Sequence, residues 1–451
     1  MRRPVGIAVL VACAAQFLIG VDGLAVAIAL PAIQREFAAP GVEGQWVLTA
    51  YGLCFGGGLL LCGRLGDLYG RRRMLVGGMA IFGAGALAAG LAPSLGMLVA
   101  ARALQGAGSA AAVPAALALI GSLFAPGRDR TRALAFFAAT ASVGVTTGLV
   151  LGGAVTQWLG WRWTFLVMVP PAAAAALLAP RVLPEARAED VDGPPDVLGA
   201  VLATGGLLAL LFGVTRVERS GAAAPEALFP TLAGVALLAA FAAWERRARA
   251  PIVRLDVLRA PGLRAAALGV GLNAISFTAI VYACSLYLQD EVGYAPLSAS
   301  AAILPLDMVA FVVTVAGASA ISRRSPRVLL AAAFAASALA LLWLARAPSD
   351  AVYTRDVLGP LVVLGGSLPL AFVVLTQQAV SDVPADDRGM ASGIFETANH
   401  LFGGAIGVAL YATVIATAGG YGPAFLSAAA LAACGLAVAR IAPSARTRCR
   451  P

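Results

Sequence analysis

Fourteen apolar segments, each near the length needed to cross a bilayer, succeed one another along this chain and leave it almost no way to fold in water. A hydrocarbon core about 30 Å thick takes about 20 residues of α-helix, because each residue rises about 1.5 Å. The segments run near 5–30, 44–63, 74–92, 96–122, 132–155, 163–180, 197–215, 228–244, 264–288, 297–320, 327–346, 357–380, 391–416 and 422–440. In hydrocarbon every backbone polar group must be satisfied within the protein, so segments of this length are expected as helices. Composition agrees: 60% of the 451 residues are hydrophobic, 12% are charged and the mean hydropathy is +0.87, too little polar surface to coat a soluble domain of this size. The reading is an all-α polytopic membrane protein.

Orientation follows from the arginines, since cytoplasmic loops retain positive charge and the chain has no lysine. With the N-terminus inside, the inner loops and tails hold 25 of the 32 arginines, the outer loops hold six, and Arg102 alone lies within a span. An odd number of spans would spoil this alternation, so fourteen spans with both termini cytoplasmic is the predicted topology. Arg2 and Arg3 precede the first apolar run, and Leu10-Val11-Ala12-Cys13 looks like a lipoprotein cleavage box. A secretory h-region spans about 7–15 residues, whereas this run continues to Leu30, so an uncleaved first helix is expected. The six cysteines, at 13, 54, 62, 284, 434 and 449, have no disulfide or metal spacing and read as small apolar fillers. The net charge of +9 comes from clusters beside the spans, such as Arg71-Arg72-Arg73, Arg246-Arg247 and Arg323-Arg324. That pattern fits lipid headgroups, not nucleic acid.

Absences narrow the chemistry. Without lysine there is no Walker A grip on nucleotide phosphates. The single histidine, His400, excludes a two-histidine metalloprotease helix, and no G-x-S-x-G elbow is present. No enzyme, metal or cofactor is expected, and energy for transport would come from an ion gradient or a partner chain.

Ionisable groups within the spans are Asp22, Arg102, Asp307, Glu396 and His400. Charges at that depth are costly, so each is either a structural ion pair, a snorkelling side chain or a functional group in a cavity. Asp22 stands eight residues before Leu30 on an outward-running helix, and Arg102 six residues after Gly96 on an inward-running one. Both therefore lie about 10 Å inside the outer boundary and can meet if their helices are neighbours. Separating such a pair, or inserting a cationic cargo, changes whether Asp22 holds a proton. Arg102, Gln105 and Ser109 share one helical face, as do Glu396, Asn399, His400, Gly403 and Gly407, and neither stripe belongs in lipid. Gly144, Gly148 and Gly152, with Gly153 beside them, form a small-xxx-small seam suited to close helix packing. Candidates for lining a substrate cavity are Gln16, Trp46, Tyr51 and Gln105 in the first half of the chain. Asn273, Phe277 and Asn399 are their counterparts in the second.

Between the second and third segments runs Gly63-Arg64-Leu65-Gly66-Asp67-Leu68-Tyr69-Gly70-Arg71-Arg72, a charged, glycine-punctuated hairpin at the membrane surface. It resembles the G-x-L-x-D-x-x-G-R-R/K loop of major facilitator superfamily transporters. Val21-Asp22-Gly23 through Ala29-Leu30-Pro31-Ala32-Ile33 resembles the first helix of the fourteen-span drug:proton antiporters, with Leu24 at the threonine position. Arg102-Ala103-Leu104-Gln105-Gly106-Ala107-Gly108 resembles their R-x-x-Q-G-x-G motif. Gly148 to Gly153, followed by Trp161-Arg162-Trp163-Thr164-Phe165, is similar to the fifth-helix G-P-x-x-G-G motif and its W-R-W-x-F sequel, with Leu149 in place of the proline. Met168 stands where an asparagine is frequent, while Tyr287-Leu288-Gln289, Gly293-Tyr294 and Ala391 to Phe395 also look familial.

The resemblance implies a major facilitator fold: a six-helix bundle over 1–181, a cytoplasmic linker over 182–196, two inserted helices over 197–245, a linker over 246–263, a second six-helix bundle over 264–441 and a tail over 442–451. It implies a monomeric, multi-pass protein of a bacterial cell membrane that exchanges a small amphipathic molecule for protons by rocking its bundles. Asp22 and Arg102 would take part in proton coupling, with Asp307, Glu396 and His400 as further candidates. Gly63, Asp67, Gly70, Arg71 and Arg72 would form a conformational latch against the other bundle. Import on the same fold is the main alternative, favoured by Leu149, and a membrane-embedded enzyme or scaffold is a more distant one.

Overall fold

The computed structural model describes residues 3–39, 42–124, 128–185, 196–220, 224–248, 257–321, 325–383 and 388–441. Among the described residues there is helix and no strand, and the helices form fourteen long segments near the places the apolar stretches mark. The first eight are Arg3–Glu36, Val42–Tyr69, Arg71–Gly90, Leu95–Leu123, Arg128–Trp158, Arg162–Val182, Val197–Ser220 and Pro225–Glu245. The last six are Pro261–Glu291, Pro296–Ile321, Pro326–Leu344, Tyr353–Ala379, Ala391–Ala418 and Tyr421–Ile441. Counted on the described residues, 12 are long and apolar enough to cross a membrane. The second and seventh, of 28 and 24 residues, lie outside that set.

The chain divides into two compact units, Met1–Ile252 and Val253–Pro451. Each has its own apolar core: Val21, Phe82, Leu119 and Met168 belong to that of the first, and Leu263, Phe334, Leu375 and Phe395 to that of the second. The seventh and eighth helices, expected as an insertion flanked by linkers, group with the first six. Small residues explain how. Gly206 and Gly234 bring the two helices of this hairpin together at Leu238 and Leu210, while Leu208 lies over Gly57 and the Phe212 ring packs tilted against Trp46 of the second helix, with centroids 5.9 Å apart.

Two helix boundaries differ from expectation for identifiable reasons. The second helix does not end at Gly63 but continues to Tyr69, so Gly63 and Asp67 have helical backbone. Only Gly70 breaks it, with φ 105° and ψ 130°, and the third helix starts at the next residue. A left-handed φ of this kind suits glycine, and the supposed loop is a turn of one residue. The sixth helix is interrupted at Val167 and Met168 and restarts at Val169, because Pro170 and Pro171 lack the N–H groups that a continuous helix would use. The ninth and thirteenth helices contain widened i→i+5 turns, over Ala279–Cys284 and Leu401–Ile406, and such turns are frequent at functional sites.

The fifth-helix glycines seat the first helix. A Cβ on Gly144 would stand 3.2 Å from Gly20 Cα, one on Gly148 would stand 2.7 Å from Val21 Cα, and one on Gly152 would stand 3.1 Å from Ala25 Cβ. Gly153 is buried beside them. The seam lets the two backbones touch over the turn that carries Asp22. Gly148→Ala is therefore expected to destabilise the protein by about 1–3 kcal/mol, as overpacking does. Gly77→Ala, at a position with nothing within 4 Å, serves as the control. Thermal unfolding in detergent would compare the two variants, and equal midpoints would show that the seam is not tightly closed.

Candidate functional site

The fourth helix starts at Ser94, whose hydroxyl accepts from Met97 N at 3.3 Å, and it carries Arg102 two turns further along. The guanidinium is fully buried in the first unit, where an isolated charge would cost many kcal/mol. Its surroundings offset that cost. Nη1 donates to both carboxylate oxygens of Asp22, at 2.6 and 2.8 Å, and to Gln105 Oε1 at 2.9 Å. Nε donates to the Val47 carbonyl at 2.9 Å. The Tyr51 ring lies 4.3 Å from the guanidinium carbon and Phe165 lies 5.7 Å away, both in cation–π range. Tyr51 is in turn held by a 3.0 Å hydrogen bond between its hydroxyl and Ser109.

Of the candidate residues, Asp22, Arg102, Tyr51 and Gln105 are thus gathered in one buried cluster fed by the first, second and fourth helices. Val47 joins it through a backbone carbonyl, without a sequence signal of its own, and Phe165 joins it from the W-R-W-x-F run. Trp46 does not join, because its ring packs on Phe212. Gln16 is half-buried on the first helix with Oε1 lacking a described partner. Gln105 Nε2 and Thr49 Oγ1 are likewise buried and unpartnered among the described residues.

The one-residue turn has its own partners within the first unit. Glu185 accepts from the Arg72 backbone N at 3.1 Å and pairs with Arg72 Nε at 3.4 Å and Arg73 Nε at 3.8 Å. Arg72 Nη1 also donates to the Leu183 carbonyl at 3.1 Å. Glu185 belongs to the stretch expected as a cytoplasmic linker, and this contact was not legible from sequence. The side chain of Asp67 lies outside the described residues. Arg71 is half-buried.

In the second unit Glu396, Asn399 and His400 lie together on the thirteenth helix. Asp307 is 7% exposed, and its Oδ2 has no hydrogen-bond partner among the described residues. Glu396 Oε2 and His400 Nε2 are 3.6 Å apart on the thirteenth helix, with the Asn399 amide hydrogen-bonded to Glu396. Asn273 is buried with Oδ1 unpartnered, and Phe277 is half-buried. Asn273 lies one turn beyond Gly269, which faces Leu375 and Val438. Gly271 and Ala274 are the residues that meet the thirteenth helix, at Phe402 and Gly403.

A buried carboxylate–guanidinium pair within long apolar helices agrees with the sequence comparisons. The profile of the Major Facilitator Superfamily matches residues 12–408. The chain belongs to the Major Facilitator Superfamily. It is 36% identical over 416 residues to a puromycin resistance protein of Streptomyces alboniger, covering 92% of this chain and 82% of that one. It is also 36% identical over 423 residues to the cephamycin export protein CmcT of Amycolatopsis lactamdurans, covering 93% and 87% of the two chains. Among solved structures, a bacterial homolog of the human lysosomal transporter Spinster matches with a TM-score of 0.67 at 16% identity, over 98% of this chain and 95% of that chain, a likeness of fold. The protein is a multi-pass membrane transporter and not an enzyme.

In this transporter, removing one member of the central pair leaves the other charge buried alone. Arg102→Ala is expected to cost about 3–5 kcal/mol. The double change Asp22→Asn with Arg102→Gln is expected to recover part of that loss, because it leaves no unpaired charge. A double-mutant cycle on thermal stability measures the coupling, and additive effects would show that the two side chains stabilise the fold independently.

Proposed function

We propose that this chain is a proton-coupled exporter of amphipathic small molecules, antibiotics or secondary metabolites among them, working as a monomer by alternating access in a bacterial cell membrane. The observation that carries the reading is the buried Asp22–Arg102 pair with its ready-made alternatives. An ionised Asp22 holds Arg102 by two short charge-assisted hydrogen bonds. When Asp22 takes up a proton, the guanidinium keeps the Val47 carbonyl, the Gln105 amide oxygen and the Tyr51 ring. The arginine thus has a resting place in both protonation states, and the carboxyl is released to respond to cargo. Export as the direction is supported by the resistance and export proteins to which nine-tenths of the chain is similar.

The remaining candidates take supporting parts in the same scheme. Asp307, Glu396 and His400 are the groups through which the second unit would share in proton coupling. Gly63, Asp67, Gly70, Arg71 and Arg72 would hold one conformation of the cycle, with Glu185 as a partner of Arg72 within its own unit. Import is the second reading, favoured by Leu149 at the motif proline, a side chain that is fully buried in the fifth helix.

Expression in a pump-deficient bacterial host separates the two. Export predicts a several-fold rise in the inhibitory concentration of puromycin or other amphipathic antibiotics, and sensitisation instead of resistance would favour import. Asp22→Asn is expected to remove both the resistance and the substrate-induced proton release of the purified protein, at unchanged membrane abundance. Wild-type proton release in that variant would overturn the assignment of Asp22. Asp307→Asn is expected to lower the number of protons exchanged per cargo without abolishing release, and an unchanged ratio would return Asp307 to a structural role.

A further inference from the structure

Glu396 and His400 stand one turn apart on a single face of the thirteenth helix. Their facing atoms, Oε2 and Nε2, are 3.6 Å apart. That gap is too long for an N–H···O hydrogen bond, which closes at about 2.7–3.2 Å. It is close to the separation of two ligands on one first-row metal ion. Bonds of about 2.0–2.2 Å to a carboxylate oxygen and an imidazole nitrogen, opened to a tetrahedral angle, put the donors about 3.4 Å apart. Residues at i and i+4 supply adjacent ligands from one helix in zinc motifs for the same geometric reason. Asn399 hydrogen-bonds the Glu396 carboxylate from within the same turn, the kind of outer partner that ligating carboxylates have.

Neither side chain is sealed inside its unit. Glu396 is 47% exposed and His400 35%, while Ala391 and Phe395 on the same helix are buried. Among the described residues no cluster of three or more histidine, cysteine or acidic side chains is assembled as a metal site. A metal here would therefore be exchangeable and not a resident cofactor, with water or a chelating cargo completing its coordination.

We propose that Glu396 and His400 form a two-ligand site for a divalent first-row transition-metal ion, whose occupation slows transport. The ion would bridge the turn directly before the widened turn Leu401–Ile406. From there on Gly403 and Gly407 press on Ala274 and Thr278 of the ninth helix, so the bridge would stiffen the segment that makes this close crossing.

The test uses the full-length purified protein with any histidine tag removed, which leaves His400 as the only histidine in the chain. Titration with zinc chloride by calorimetry is expected to show one binding event. His400→Gln and Glu396→Gln should each weaken it at least tenfold, and zinc should slow transport by the wild type in proteoliposomes. Because either variant can fail to fold, a measurement on the wild type stands beside them: zinc should protect His400 from acylation by diethyl pyrocarbonate. Zinc affinity unchanged in both folded variants, or acylation of His400 at the same rate with and without zinc, would overturn the proposal. Neither binding nor protection depends on the direction of transport or on proton coupling, so failure here leaves the exporter reading untouched.

Discussion

The first unit is organised around the need to keep one guanidinium charged without water. Arg102 is fully buried, and the groups that make its burial tolerable come from four helices: a carboxylate from the first, a backbone carbonyl from the second, an amide from its own, and rings from the second and sixth. Such a site fixes the relative depth of four helices at once. It also supplies the one buried carboxylate of the cluster, so the residues that specify the bundle are the same ones whose protonation would drive it.

Glycine makes the arrangement sterically possible. The first helix reaches the arginine only because the fifth offers it a groove at Gly144, Gly148 and Gly152, and the second approaches the fourth where Gly106 stands against Cys54 and Phe55. Association of helices in lipid relies on this kind of close contact, since lipid tails are as apolar as the side chains they replace. The polar cluster and the glycine seams are therefore one design: the seams bring backbones near enough for short side chains such as that of Asp22 to reach.

Much of this was legible in the sequence because its determinants are linear. Helix positions follow from apolar length, and the meeting of Asp22 with Arg102 follows from matched depth, which needs only residue counting and the rise of a helix. What escaped depends on three-dimensional choices that counting does not register. The contact between Arg72 and Glu185 requires the end of the sixth helix to lie beside the start of the third. Trp46, an aromatic residue near a polar cluster, was drawn to Phe212 by the docking of a helix pair that the sequence marks only as extra. The hairpin after the second helix was misjudged for a simpler reason: two of its three glycines, Gly63 and Gly66, keep helical backbone, and only Gly70 uses its left-handed freedom.

That single residue has a mechanical meaning. A flexible connection of several residues lets two helices tilt independently and absorbs the strain of their motion. Between Tyr69 and Arg71 there is no length in which strain can be absorbed, and the far side of the joint is bolted to Glu185 by two arginines. The second and third helices thus meet at a joint of a single residue. A displacement of the second helix at Val47, where it touches the guanidinium, would therefore reach the third helix through a joint of one residue.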